Sequence, residues 1–279
     1  MNSIPKLVPF SVFVCIVLLI FVPLSRMSDT AILPCMILAK SFCTFYIGCY
    51  IAEFLKGKVS RKIIISVSII GVISLVLIPL IDILAINWII DPCCILGLPE
   101  KYIRCASMNP FFLCLGFILN SSGTELIKYP IRKLGSVRMN IIMAVLSTVS
   151  YIILIYLIHV PAFFEGLSNC KVSEIRFIVR VVSLIPWIAS MIYLYRVLTS
   201  KFAYAIVDTY PKLFRIIANL APGLVLLLLY AHMDYNRFWY YNIVFHVIIA
   251  YAMTVLLRLC TQVLYKDFSW KKTFLGNID

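Results

Sequence analysis

Two long apolar runs, Ala31–Leu55 and Ile63–Ile90, are joined by the basic turn KGKVSRK, and this hairpin constrains the chain more than any other stretch. Each run exceeds the ~20 residues, at ~1.5 Å rise each, that a helix needs to cross a bilayer core. Between them Lys56, Lys58, Arg61 and Lys62 stand without an acid. Basic turns of this kind stay cytoplasmic, so the hairpin sets the direction of every other segment. Its apolar runs also hold two charges, Lys40 and Asp82.

The same character extends along all 279 residues, which are 63% hydrophobic and 13% charged, against about 25% charged in soluble domains. The pattern predicts an all-α fold: one polytopic transmembrane helical bundle of about eight spans, with the N- and C-termini cytoplasmic. The spans are expected near 7–24, 31–55, 63–90, 107–126, 139–160, 177–198, 216–230 and 238–259. Leu7–Leu24 reads as a signal-anchor helix that is retained. Its apolar run is long for a signal peptide, and SRMSDT offers no small-x-small cleavage site. Residues Asp91–Arg104 and Cys170–Arg176 are expected in outer loops. Asn120-Ser121-Ser122 has the form of a glycosylation acceptor, yet this topology puts it in or below the membrane.

The formal charge of +13 is a matter of sidedness. With Arg258 counted in the C-terminal tail, the cytoplasmic loops and tails hold 17 Lys/Arg and five acids, and the outer loops six of each. This bias points to a lipid bilayer with anionic headgroups at the cytoplasmic face as the partner, and no nucleic-acid motif accompanies it. The expected location is an integral one, in a plasma, bacterial inner or endomembrane. In the tail, YKDFSWKK places Trp270 and its lysines as interface anchors.

A charge at the bilayer centre costs at least ~2.5–3.5 kcal/mol, so ionisable residues within spans are candidate site residues. Lys40 and Asp82 fall within ~6 Å of equal depth in the hairpin. They read equally as a structural ion pair or as part of a site. His159, Arg180 and His246 share the outer half of the bundle with them, and the five together form a candidate polar vestibule. The chain shows no Gly-rich phosphate loop, His-Glu-x-x-His, Gly-x-Ser-x-Gly or GxxxG motif. No catalytic residue is assigned and no cofactor is evident from the residues. Of the ten cysteines, Cys93, Cys94, Cys105 and Cys170 fall in expected outer loops, where a Cys105–Cys170 disulfide is one pairing among several. None of the ten has metal-ligand spacing.

Two segments carry a family resemblance. FYIGCYIAEFLKGK (Phe45–Lys58) resembles the aromatic-Gly helix end, and SYIILIYLIHVPAFF (Ser150–Phe164) the late Ser-aromatic…Tyr-Leu-x-His helix, of the polytopic membrane O-acyltransferases that acetylate cell-surface sugars. PKLFRIIANLAPGLVLLLLYAHM and the tail SWKKTFLGN are looser echoes of the same family. The resemblance implies an acyltransferase-like protein acting on cell-surface glycans, acyl-CoA as donor, and His159 as a polar contact. The family's Arg-rich first helix and the His-bearing catalytic helix after it have no counterpart here, which implies a divergent or shortened member. Apart from the resemblance, two further classes stay open. A small-solute or lipid transporter needs an internal polar site and mobile helices. A seven-helix receptor would require cleavage of the first segment, but IKYPIRK lacks the acid-Arg-aromatic triplet of such receptors.

Overall fold

The computed structural model describes residues 7–24, 33–55, 59–86, 100–121, 137–159, 164–207, 209–230, 243–264 and 268–275, and their regular structure is helical. In chain order the helices are α1 (Val8–Leu24), α2 (Leu33–Phe54), α3 (Arg61–Ile86), α4 (Glu100–Ser121) and α5 (Val137–His159). They continue with α6 (Asn169–Leu198), α7 (Lys201–Val207), α8 (Pro211–Tyr230), α9 (Ile243–Leu264) and α10 (Trp270–Leu275). The all-α expectation holds. Among the described residues, four helices carry a stretch long and apolar enough to cross a membrane: Ile37–Phe54, Val137–Leu157, Glu174–Leu198 and Val247–Leu264. The apolar parts of α1 and α4, Val8–Leu18 and Pro110–Ser121, are shorter than a full crossing.

Several helices outrun the apolar windows from which they were expected. α4 starts at Glu100 rather than 107, and α6 at Asn169 rather than 177. Cys105 and the stretch from Cys170 to Arg176 are therefore helical, not loop. α8 starts at Pro211 rather than 216, because proline at the first helical position has its φ preset and gives up an N–H that would be unpaired there anyway. α9 runs on to Leu264 rather than 259. Hydropathy marks where lipid can surround a helix, whereas the i→i−4 hydrogen bonds run on through polar residues.

The bundle is apolar outside and partly polar inside. Large apolar side chains face outward on α3 (Ile65, Ile69, Val72, Ile73), on α5 (Ile142, Val145, Leu146) and on α6 (Ile178, Ile185). Ser41, Thr44, Ser74, Ser147, Thr254 and Arg258 are buried. The interior hydroxyls find partners within their own helices: Ser41 Oγ donates to Ile37 O at 2.8 Å and Ser147 Oγ to Met143 O at 2.6 Å. A hydroxyl bonded this way adds no unsatisfied group to an interior without water.

α2 is the central element. Its window Ile37–Phe54 is 67% buried, against 22–28% for the other three apolar spans, and it packs against α1, α4, α5, α6, α8 and α9. The run from Ser41 to Cys49 is buried on every face. α3, the next helix in sequence, is not its main neighbour. α4 packs against both α2 and α3, while direct α2–α3 contact is at most marginal among the described residues. The hairpin closes near its turn, where Ala52, Leu55, Val59 and Ile63 gather around Phe117 of α4.

Glycine brings α2 and α4 together. A Cβ on Gly48 would overlap the carbonyl oxygen of Leu113, and one on Gly116 would overlap that of Phe45. Each glycine thus sits on the carbonyl three residues before its counterpart, a reciprocal register between two parallel helices. At that approach Cα–H groups face carbonyl oxygens directly. Cys49 Sγ adds a bond to Gly116 O at 3.3 Å. No GxxxG is needed, because each helix supplies one glycine. A second close approach joins α8 to α9. Pro222 interrupts the α8 ladder, and the N–H of Gly223 turns outward to Thr254 Oγ1 at 2.8 Å.

Candidate functional site

The best-defined polar assembly centres on Arg258, near the C-terminal end of α9. Its side chain is 2% exposed. Nε donates to Tyr50 Oη of α2 at 2.6 Å, and one terminal nitrogen to Asn219 Oδ1 of α8 at 2.7 Å. The other terminal nitrogen donates to the carbonyls of Thr273 and Phe274 in α10, at 3.3 and 3.2 Å. The guanidinium carbon lies 5.9 Å from the Tyr50 ring centroid. One side chain therefore ties four helices, and its planar fork of five N–H donors is what makes four simultaneous bonds feasible. Its acceptors among the described residues are all neutral oxygens.

The partners are positioned by periodicity. Tyr251, Thr254, Arg258 and Gln262 recur every three or four residues and so share one face of α9. Gln262 Oε1 accepts from Thr273 Oγ1 at 2.8 Å and from the backbone N–H of Ser269 at 3.3 Å. Tyr251 Oη donates to Phe274 O at 3.0 Å. These bonds fold α10 back along the last turns of α9.

A second cluster lies one turn further along α2. Asn120 of α4 donates through Nδ2 to Cys49 O at 2.8 Å and to Glu53 Oε2 at 3.2 Å, and Tyr195 Oη of α6 donates to Asn120 Oδ1 at 2.8 Å. The Asn120 amide is thus engaged on both its donor and acceptor sides. Glu53, near the C-terminal end of α2, faces Asn120. Tyr195→Phe is expected to cost about 1 kcal/mol by removing one buried hydrogen bond, read as a lowered melting temperature in detergent. No change in melting would show that this bond is energetically silent.

Both clusters sit at one end of the bundle, formed by the C-terminal ends of α2, α4, α6 and α9 and the N-terminal end of α8. The five vestibule candidates lie on helix positions toward the opposite end. Lys40 precedes Tyr50 by ten residues, or about 15 Å of helix, and His246 precedes Arg258 by twelve, or about 18 Å. Tyr151 of α5 meets Trp187 of α6 at a ring distance of 5.0 Å. Eight residues along each antiparallel helix from there bring His159 level with Val179 and Arg180. Lys40 and Arg180 are half-buried. The side chains of Asp82, His159, His246, Cys105 and Cys170 lie outside the described residues, although their backbones are helical. α4 packs against both α2 and α3, the helices that carry Lys40 and Asp82.

Arg258, Tyr50, Asn219 and Gln262 were missed by sequence reasoning. The expected span 238–259 stops before Gln262, and counting Arg258 among the cytoplasmic charges hides its place in the polar stripe of α9. A stripe at i, i+4 and i+8 was the available signal. Chemically, a guanidinium already bonded to four protein oxygens holds helices together rather than engaging a substrate. Fold and polar interior define a helical membrane protein, apolar on its outer faces. No protein-family model matches the chain, and neither a similar curated protein nor a similar solved structure was found.

Proposed function

We propose that the chain is an eight-span integral membrane protein with both termini cytoplasmic, acting as an acyltransferase-like protein on cell-surface glycans. The observation that carries membrane embedding is the apolar outer face, with Ile65, Ile69, Val72, Ile142 and Val145 exposed while Ser41, Thr44, Thr254 and Arg258 lie within a largely apolar core. Only a lipid surround makes that arrangement favourable. The orientation rests on the partition of 17 against six Lys/Arg. It sets the Arg258 end, next to the KGKVSRK turn, in the cytoplasm and the His159 end outside.

The acyl-transfer reading draws on the resemblance of Phe45–Lys58 and Ser150–Phe164. In its favour, the first of these segments begins within the fully buried run Ser41–Cys49, and the second covers the C-terminal half of α5, which ends at His159. The reading brings acyl-CoA as donor and a surface glycan as acceptor. Two experiments test it. Reporter fusions after Asp29 and at Asp279 are expected in opposite compartments, and the same compartment for both would refute the eight-span orientation. Purified protein with radiolabelled acetyl-CoA is expected to label membrane glycans. Unlabelled glycans together with solute uptake by proteoliposomes would replace acyl transfer with transport.

A further inference from the structure

The C-terminal helix α10 has two unlike faces. Inward, Thr273 is wholly buried, and α10 is bonded to α9 through Arg258, Gln262 and Tyr251. Outward, Trp270 is 64% exposed, and Phe268, Phe274 and Leu275 are exposed beside it. Trp270 stacks on Phe274 at 5.9 Å and meets Phe268 edge-on at 4.7 Å, so the aromatic rings form one continuous patch. Lys271 and Lys272 flank the patch. Because α10 doubles back along α9, the patch lies beside the end of a membrane span and not beyond it. Val263 and Leu264, which end that span, are themselves exposed.

We infer that α10 is a lipid-responsive clasp. Its aromatic face enters the headgroup layer of an anionic bilayer, and the lipid thereby holds α10 on Arg258, which in turn holds α2 and α8 against α9. The argument for a lipid surface is threefold: the patch continues an apolar span, its aromatics are the kind that settle at headgroup depth, and the adjoining charges are basic. A basic side chain near an anionic leaflet contributes about 1 kcal/mol, or about five-fold in a population, so two lysines together shift docking by about 30-fold. The inference rests on the membrane-embedded reading. Resistance to alkaline extraction tests that reading separately.

The full-length protein is reconstituted at one copy per nanodisc, in phosphatidylcholine alone or with about one-third phosphatidylglycerol, and amide hydrogen exchange is followed over Trp270–Leu275. Exchange is expected to slow at least about ten-fold in the anionic discs. The Lys271→Gln/Lys272→Gln variant is expected to lose that dependence while keeping its protection in phosphatidylcholine. Neither change touches the Arg258 bonds. Equal exchange in both lipids would overturn the clasp. So would protection that appears only with two copies per disc, since the patch would then be a contact between chains. An unchanged lipid response in the lysine variant would likewise remove the electrostatic basis.

Discussion

Arg258→Met is expected to lower stability by about 3–5 kcal/mol and to free the C-terminal segment from the bundle. The substitution strands Tyr50 Oη, Asn219 Oδ1 and the Thr273 carbonyl without their donor, while Phe274 O keeps its bond from Tyr251 Oη. A buried polar group left unsatisfied costs about 1–3 kcal/mol. In membrane bundles a single interhelical bond averages nearer ~0.6 kcal/mol, because the dissociated helices find other partners. Three stranded acceptors, one on each of three other helices, keep the total large even at a discounted value per bond. Arg258→Lys is expected to lie close to Met, since one ammonium has three donors and no planar fork to bridge separate helices. Thermal melting in detergent and limited proteolysis of the tail measure the effect. If Arg258→Met melts with the wild type and the tail stays protected, Arg258 is a passenger in the core rather than its tie.

Gly48→Ala and Gly116→Ala are expected to be as damaging, for a steric reason. Each new methyl would meet a backbone carbonyl of the facing helix, which cannot move as a flexible side chain can. Overpacking ordinarily costs about 1–3 kcal/mol, offset by roughly 1 kcal/mol from the better helix propensity of alanine. Here relief requires α2 and α4 to part, which also stretches the Asn120 bonds to Cys49 and Glu53, so each single change is expected to cost about 3 kcal/mol net. The two glycines share one close approach. Once the first methyl has separated the helices, the second finds room, and the double variant is expected to be little worse than either single one. Fully additive losses would mean that the two glycines act at independent contacts and that the reciprocal register is wrong.

The sequence by itself determined the class of fold. Runs such as Ile63–Ile90 and Met139–Val160 are too apolar for a soluble surface, and burying their backbone polar groups in lipid leaves the helix as the available form. It also located α1, α2 and α5 to within a few residues, because hydrophobicity and breakers are local properties of the chain. The polar assembly was harder to read. Arg258 follows three apolar residues and looks, in one dimension, like a charge at a membrane border. Only tertiary structure decided that α9 continues past it, that Tyr50, lying 208 residues away in sequence, supplies its first acceptor, and that α10 returns to accept two more bonds. Likewise, adjacency in sequence suggested α2 against α3, whereas α4 came to lie against both. A single glycine on each of two helices allowed backbones to touch where no motif within either helix marked the place. Hydropathy reports what each residue prefers to be surrounded by. Which helix does the surrounding is settled by the depth at which small residues and hydrogen-bond partners on distant helices coincide.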